Sequence, residues 1–467
     1  MKLFDLLIHG GTVVNATGQI TADVAIQDGR IVGIGSYDQN AAQQSVAATN
    51  LLLMPGMIDP HVHFDLPFMG TRTRHDFYTG CISAAAGGVT TVIDFAIQEK
   101  GKSMMEAIRA RQAEAKETAS IDYSFHAIFT DVSHETVQEL PLLVEAGIAS
   151  WKVFMAYRRQ GFMVDDGGLH YLLEASRDLP LLGIAHPENA SIIEFLIDKF
   201  IAEGKVEPRY HALSRPPLAE AEAVARATTL VEATGTPFYF FHLSSAAALK
   251  ALNKAKAAGC PLYAETCPHY LLLDESLYDR PNGQNWCMSP PLRSQSDRDA
   301  MWAAVANGLV DIVSSDDCAF DAESKVLGKR SFDLIPNGIP GAESRLSLMW
   351  SEGVLKGRIS AERLVAVCAT NAARLLGMYP RKGVIAVGSD ADIVLFDPQA
   401  EKTLSLDNSF MLAGYHPYEG MHVRGLPVTT ILRGQTIMQD NQFVGRKGAG
   451  KFIERYFKNP SPQRATL

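Results

Sequence analysis

The sequence predicts an α/β protein: a (β/α)8 TIM-like barrel carrying a small β-sandwich domain built from both chain ends. Three observations predict it. Through the middle of the chain, short apolar runs rich in β-branched and aromatic residues alternate with amphipathic helical segments, the rhythm of β–α units around a parallel sheet. About eight such units occur in one stretch, which favours a barrel over the runner-up, an open doubly wound sheet. The two ends share another texture, short strand-like runs joined by Gly- and Asp-containing turns. Neither end has enough strands for a stable sheet of its own, so the two are expected to meet.

The expected division is 1–54 for the first part of the sandwich, 55–379 for the barrel, 380–440 for the second part of the sandwich, and 441–467 for a C-terminal tail. At the N-terminus, FDLLIHGGTVVN, ADVAIQDGRIVGIG and the run ending LLLMPG read as strands. The barrel strands are expected in MIDPHVHF, VTTVIDFAI, IDYSFHAIF, ASWKVFMAY, LPLLGIAH, PFYFFHLSS, CPLYAETCPHYL and DIVSSDDCAF. Between them, 219–235 reads as a helix, and SDRDAMWAAVANG reads as one opened by a capping box at Ser296 and Asp299 and closed by Gly308. KGVIAVGSDADIVLFDP, HVRGLPVTTILRGQTIMQD and NQFVG supply the C-terminal strands.

Bulk properties exclude some functions. A net charge of -9 argues against a nucleic-acid partner. No run approaches the roughly 18 apolar residues of a membrane span, and MKLFDLLIHGGTVVN lacks a signal peptide's apolar core. The six cysteines include no C-x-x-C pair and read as reduced thiols, so a cytoplasmic location is expected. GRKGAGK at 445–451 imitates a phosphate loop, but Phe452 stands where the magnesium-binding hydroxyl belongs.

The residues that carry chemistry fall late in the apolar runs: His61 and His63, Lys152, His186, His242 and Asp316. In such barrels, functional groups gather at the C-terminal ends of strands. Imidazole and carboxylate are ligands for zinc and similar divalent ions. His61 and His63, two apart on a strand, would share a face and reach one ion. His9, His75, His134, His170, His211, His416 and His422 read as structural. Lys152 is the misfit, because its ammonium would be repelled by cations and costs several kcal/mol to bury unpaired. If the amine has added carbon dioxide, the carbamate is anionic and can bridge two metals about 3.5–4 Å apart. Two divalent ions, a carbamate, Asp316 and a bridging hydroxide then leave roughly one positive charge.

HVH at 61–63, KVFMAY at 152–157, AHPEN at 185–189, FHLS at 241–244, ETCPHYL at 265–271, SPPLR at 289–293 and PNGIPG at 336–341 closely resemble the dihydropyrimidinase and D-hydantoinase branch of the amidohydrolase superfamily. The likeness continues through YPRKGVIAVGSDADIVLFDP and HPYEGMHVRGLPVTTILRG, so it covers nearly the whole chain. It implies two divalent ions per subunit, zinc or alternatively manganese. His61 and His63 would hold the more buried ion, with Asp316, and His186 and His242 the more exposed one. Carboxylated Lys152 would bridge them. The implied reaction opens the cyclic amide of hydantoins or 5,6-dihydropyrimidines to N-carbamoyl amino acids. A metal-bridging hydroxide attacks, Asp316 shuttles the proton, Tyr157 stabilises the oxyanion, and Ser289 and Asn337 contact the cyclic ureide. A metal-dependent barrel over 55–379 and a homotetramer, with the tail 441–467 packed against neighbouring subunits, are also implied.

Leu66, Phe68, Met69, Phe154 and Phe162 are candidates for an apolar lining around the ring substituent. Allantoinase and dihydroorotase are the enzymatic rivals, and a dihydropyrimidinase-like scaffold protein is the non-catalytic one. Dihydroorotases typically carry an arginine two residues after H-x-H; here Asp65 stands there and would repel a carboxylate substrate. All six expected ligands are present, which disfavours the scaffold. Many hydantoinases have His after the catalytic aspartate, whereas this chain has Asp317, expected to raise the pKa of Asp316 or alter its polar contacts.

Overall fold

Eight parallel strands form the central sheet of the computed structural model, which describes residues 2–458. They are β1 (Met57–Asp59), β2 (Val89–Ile97), β3 (Asp122–Ile128), β4 (Ser150–Phe154), β5 (Leu182–His186), β6 (Phe238–Phe240), β7 (Leu262–Thr266) and β8 (Ile312–Val313). Each pairs with the next in chain order. An open doubly wound sheet would reverse that order part-way, so the runner-up is excluded. Beyond β1 and β8, Val62 pairs in parallel with Asp317. The sheet therefore curls until the continuations of its outer strands meet. β3 and β5 are buried along their whole length, as expected for parallel strands covered on both faces.

The strands are shorter than the apolar runs that predict them. MIDPHVHF contributes only Met57–Asp59 to the ladder, because Pro60 has no N–H to donate. DIVSSDDCAF contributes only Ile312–Val313. His61, His63 and Asp316 thus lie on loops rather than on strands. Helices Phe77–Ala86, Met104–Lys116, Leu140–Glu145, Asp166–Ser176, Pro217–Thr234, Ala246–Ala257 and Gln295–Asn307 return the chain between successive strands. Pro217–Thr234 opens with proline in its first turn and closes on Gly235 at φ 70°, where a side chain would be strained. In Gln295–Asn307 the cap is Ser294, whose hydroxyl accepts from the Asp297 amide, and not the expected Ser296–Asp299 box. Gly308 ends it as expected, at φ 86°.

The chain ends do pair. A seven-stranded sheet runs Gln442–Phe443, Gln435–Gln439, His422–Leu432, Ile393–Thr403, Leu52–Pro55, Thr12–Asn15, Gly18–Thr21. Its seam is the antiparallel pairing of Leu53 with Leu395. A four-stranded sheet contains Phe4–His9, Asp23–Gln27, Arg30–Gly35 and Ala42–Ala47. Asp28 and Gly29, both at positive φ, make the tight turn between two of its strands. Leu6, Ile8 and Val24 of this sheet share one apolar cluster with Leu53, Ile393 and Ile431 of the other. The segment KGVIAVG, expected as strand, is irregular, and the strand begins at Ile393.

The C-terminal segment packs back on its own chain. Tyr123 of β3 donates to the Lys451 carbonyl and accepts from Ile453. Among the described residues no helix follows 445–451, so the strand–loop–helix setting of a phosphate loop is missing there. The last part of the expected tail, 459–467, lies outside the described residues. No helix among the described residues is long and apolar enough to cross a membrane.

Candidate active site

Lys152 on β4 and His186 at the end of β5 meet His61, His63, His242 and Asp316, which lie on the loops that follow their strands. His61 Nε2 lies 3.2 Å from His63 Nε2, 3.1 Å from Asp316 Oδ1 and 3.4 Å from Lys152 Nζ. His186 Nδ1 lies 2.9 Å from His242 Nε2. Ligand atoms of His61, His242 and Asp316 are all within 4.8 Å of one another. The two histidines of the HVH pair converge through loop geometry and not through a shared strand face. Three residues around the cluster, Tyr157, His242 and Asp316, hold φ at +61°, +39° and +48°. Non-glycine residues rarely adopt such conformations, and those that do cluster at functional sites.

Partners outside the cluster fix which nitrogen faces inward. His61 Nδ1 sits 2.5 Å from a Glu265 oxygen, and Tyr239 donates its hydroxyl to the other oxygen at 2.5 Å. His186 Nε2 is 2.8 Å from Glu188, which also accepts from Arg215 at 2.9 Å. A carboxylate on one ring nitrogen claims the N–H and leaves the other nitrogen's lone pair free. The free lone pairs are then His61 Nε2 and His186 Nδ1, the atoms that crowd the cluster. Burial lowers the pKa of both rings, which keeps them neutral. Lone pairs facing each other at hydrogen-bond distance are repulsive unless a cation or proton lies between them. The donor set therefore fits divalent metal ions.

Lys152 is 1 % exposed and has no carboxylate within ion-pair distance among the described residues. Its nitrogen lies over the rings of Phe95, Phe241 and Phe154 at 4.1, 4.6 and 4.8 Å. Burial holds its ammonium down to about 8.

The cluster floors a cavity that opens at the barrel mouth. Tyr157, Ser289 and Asn337 line it together with Cys318 and Gly338. Burial pushes the Tyr157 phenol up to about 12, against the pull of the Arg215 guanidinium, so it is a hydrogen-bond donor at neutral pH. Ser289 Oγ is buried without a partner. Leu66, Phe68, Phe154 and Phe162 form the apolar wall, with Phe68 and Tyr157 rings 5.2 Å apart. Met69 does not line this cavity; it belongs to the open groove outside it.

Two carboxylates behave differently from expectation. Asp65 also lies in the outer groove, paired with Arg72 at 2.8 Å, so it exerts no repulsion inside the cavity. Asp317 faces away from the metal cluster. It meets His75 Nδ1 at 3.0 Å and accepts from the amides of Gly341 and Ala342 at 2.9 and 3.1 Å. It does not raise Asp316, whose carboxyl lies well below the usual range against the upward push of burial, with His63 Nε2 at 3.4 Å placed to donate to it. His75 keeps its structural reading, as the anchor of Asp317. His211 keeps its own, its Nε2 bonded to the Met288 carbonyl at 2.7 Å. Sequence reasoning missed Glu265, Glu188, Arg215 and Tyr239. Glu188 was signalled by a carboxylate two residues after a ligand histidine; Glu265 needed the fold.

Comparison with known proteins decides the family. The D-hydantoinase of Geobacillus stearothermophilus is 43% identical over 453 residues, covering 96% of this chain and 96% of that protein. The D-hydantoinase of Ralstonia pickettii is 41% identical, covering 97% of this chain and 99% of that protein. The chain belongs to the D-hydantoinase and dihydropyrimidinase family. An Amidohydrolase family model matches residues 210–437, and a Dihydro-orotase-like model matches 50–248. The dihydropyrimidinase from Brevibacillus agri NCHU1002 superposes with a TM-score of 0.95 at 42% identity, covering 97% of this chain and 98% of that one. The L-hydantoinase from Arthrobacter aurescens reaches 0.90 at 29% identity, covering 97% and 100%. As a member of this family the chain is a cyclic amidohydrolase with a divalent metal site, in agreement with its inward-facing lone pairs.

Proposed function

We propose that this chain opens the ring amide of hydantoins or 5,6-dihydropyrimidines, giving N-carbamoyl amino acids. The observation that carries this is the cavity, whose floor is a six-residue donor cluster and whose wall holds Tyr157, Ser289 and Asn337. His61, His63 and Asp316 would hold one ion, and His186 and His242 a second. Lys152, carboxylated on Nζ, would join them. Its low ammonium pKa supports this, since carbon dioxide adds to the neutral amine. Zinc fits the nitrogen and oxygen donors, with manganese as the alternative. The bound ions would supply Lewis acidity at the carbonyl and make a water acidic near neutral pH.

Asp316 takes a proton from the attacking water. The new C–O bond forms at the ring carbonyl, and the Tyr157 hydroxyl donates to the oxyanion. As the C–N bond breaks, Asp316 returns the proton to the leaving nitrogen. Ser289 and Asn337 orient the ring, while Leu66, Phe68, Phe154 and Phe162 take its substituent.

We read the curled sheet as a closed barrel spanning 55–379. The two end sheets form a sandwich from 1–54 and 380–440, a reading supported by their shared apolar cluster. Pro55 nevertheless still pairs within the sandwich seam. Six free cysteines support a cytoplasmic location. A homotetramer follows from the family likeness alone. A hydrolysis panel of hydantoin, dihydrouracil, phenylhydantoin, dihydroorotate and allantoin tests the function on zinc- or manganese-loaded protein. Turnover of the first three is expected. Turnover confined to dihydroorotate or allantoin would replace the reading with a rival, and turnover of none would favour the scaffold.

A further inference from the structure

Another buried lysine lies outside the metal cluster. Lys325 is 0 % exposed and ends the short helix Ala322–Lys325. Its ammonium donates to the Cys287 carbonyl at 2.8 Å and to the Pro336 carbonyl at 3.1 Å. No carboxylate pairs with it among the described residues, and burial holds it down to about 8. The nearby charged-form candidates are only the thiols of Cys287 and Cys318, both held protonated by burial. Burying a cation against carbonyls alone is costly. A well-packed apolar residue would fill the same space at lower cost.

What the ammonium joins explains the arrangement. Cys287 is two residues before Ser289, and Pro336 directly precedes Asn337. Gly338 donates its amide to the same Cys287 carbonyl at 3.0 Å, so Lys325 closes a small bridge between the two segments. Ser289, Asn337 and Gly338 all line the cavity. The same helix also holds the loop that follows Leu66 and Phe68. Ser324 Oγ is 2.9 Å from Thr71 Oγ1, and Asp321 pairs with Arg74 at 3.0 Å.

We propose that Lys325 is a positioning residue: it sets the spacing of segments 287–289 and 336–338, between which the substrate ring is held. This rests on the substrate reading above. Lys325 touches no metal-cluster residue, so it acts on binding and not on the metal centre or the proton shuttle. Loss of substrate contacts made equally in ground and transition states raises KM with kcat little changed.

The test is Lys325→Met, assayed with the best substrate of the panel on metal-loaded protein, with Lys329→Met as the exposed control. KM is expected to rise about tenfold or more, with kcat within about threefold and metal content at the wild-type level. Lys325→Gln, which keeps one donor, should fall between. If Lys325→Met is not recovered folded, Lys325→Gln decides by the same split. An unchanged KM would overturn the proposal. So would a fall in kcat and metal content at constant KM, which marks a general structural role. A wild-type protein that turns over none of the panel sinks the substrate reading instead, and this inference with it.

Discussion

Lys152 and Lys382 are both 1 % exposed, yet their surroundings are opposite. Lys382 is bonded to Asp122 at 2.8 Å and Asp392 at 2.6 Å, with Asp390 at 3.3 Å. Its ammonium is raised above the ordinary lysine value, because those carboxylates outweigh burial. Lys152 has aromatic rings and a histidine where Lys382 has acids, and its ammonium is lowered. A buried charge is tolerated when it is compensated. The compensated lysine staples the C-terminal segment to β3 and completes a structural network. The uncompensated one lies in the candidate metal cluster, where the proposed carboxylation would replace its cation by an anion. Burial alone does not distinguish the two; the partners of the charge do.

That contrast can be broken most sharply at Lys152. Lys152→Ala should lose the metal pair and roughly a thousandfold or more in turnover, with little loss of stability. Metal analysis showing a full complement in an active variant would remove Lys152 from the centre. Asp316→Asn should keep metal and lose about a hundred- to ten-thousandfold in kcat, the span of general acid–base catalysis. Near-normal turnover would take the proton shuttle away from Asp316.

Lys382→Met should behave in the reverse way. It leaves buried Asp392 without a cation, while Asp122 keeps Arg433 and Asp390 keeps Arg381, so unfolding should become easier by about 3–5 kcal/mol, while kcat in the folded protein holds. Chemical denaturation together with initial rates measures both. A drop in kcat at unchanged stability would erase the distinction between the two lysines.

The smallest effect sharpens the rule with an acid. Burial lifts Glu343 to about 7, against the Phe410 amide and Lys402. Because its folded pKa lies above the ordinary 4.5, the stability it contributes is full below pH 4.5 and is lost as pH rises through about 7. Glu343→Gln cannot ionise, so it should melt higher than wild type at pH 8 and no higher at pH 4.5. Equal melting temperatures at both pH values would show that the site is not desolvated.

The sequence alone determined the alternation of strand and helix, because hydrophobic periodicity and turn chemistry are local. It also determined the six candidate ligands, because donor side chains at the ends of apolar runs are unusual enough to read without contacts. Tertiary structure alone decided which nitrogen of His61 and of His186 faces inward, since Glu265 and Glu188 set that from β7 and the loop after β5. It also decided that Asp317 and Asp65 take no part in the cavity, where sequence position had put them beside the chemistry. The physical reason is direction: a residue's neighbours along the chain fix its type and approximate place, but only the packed fold fixes where its side chain points and which partner has already claimed it.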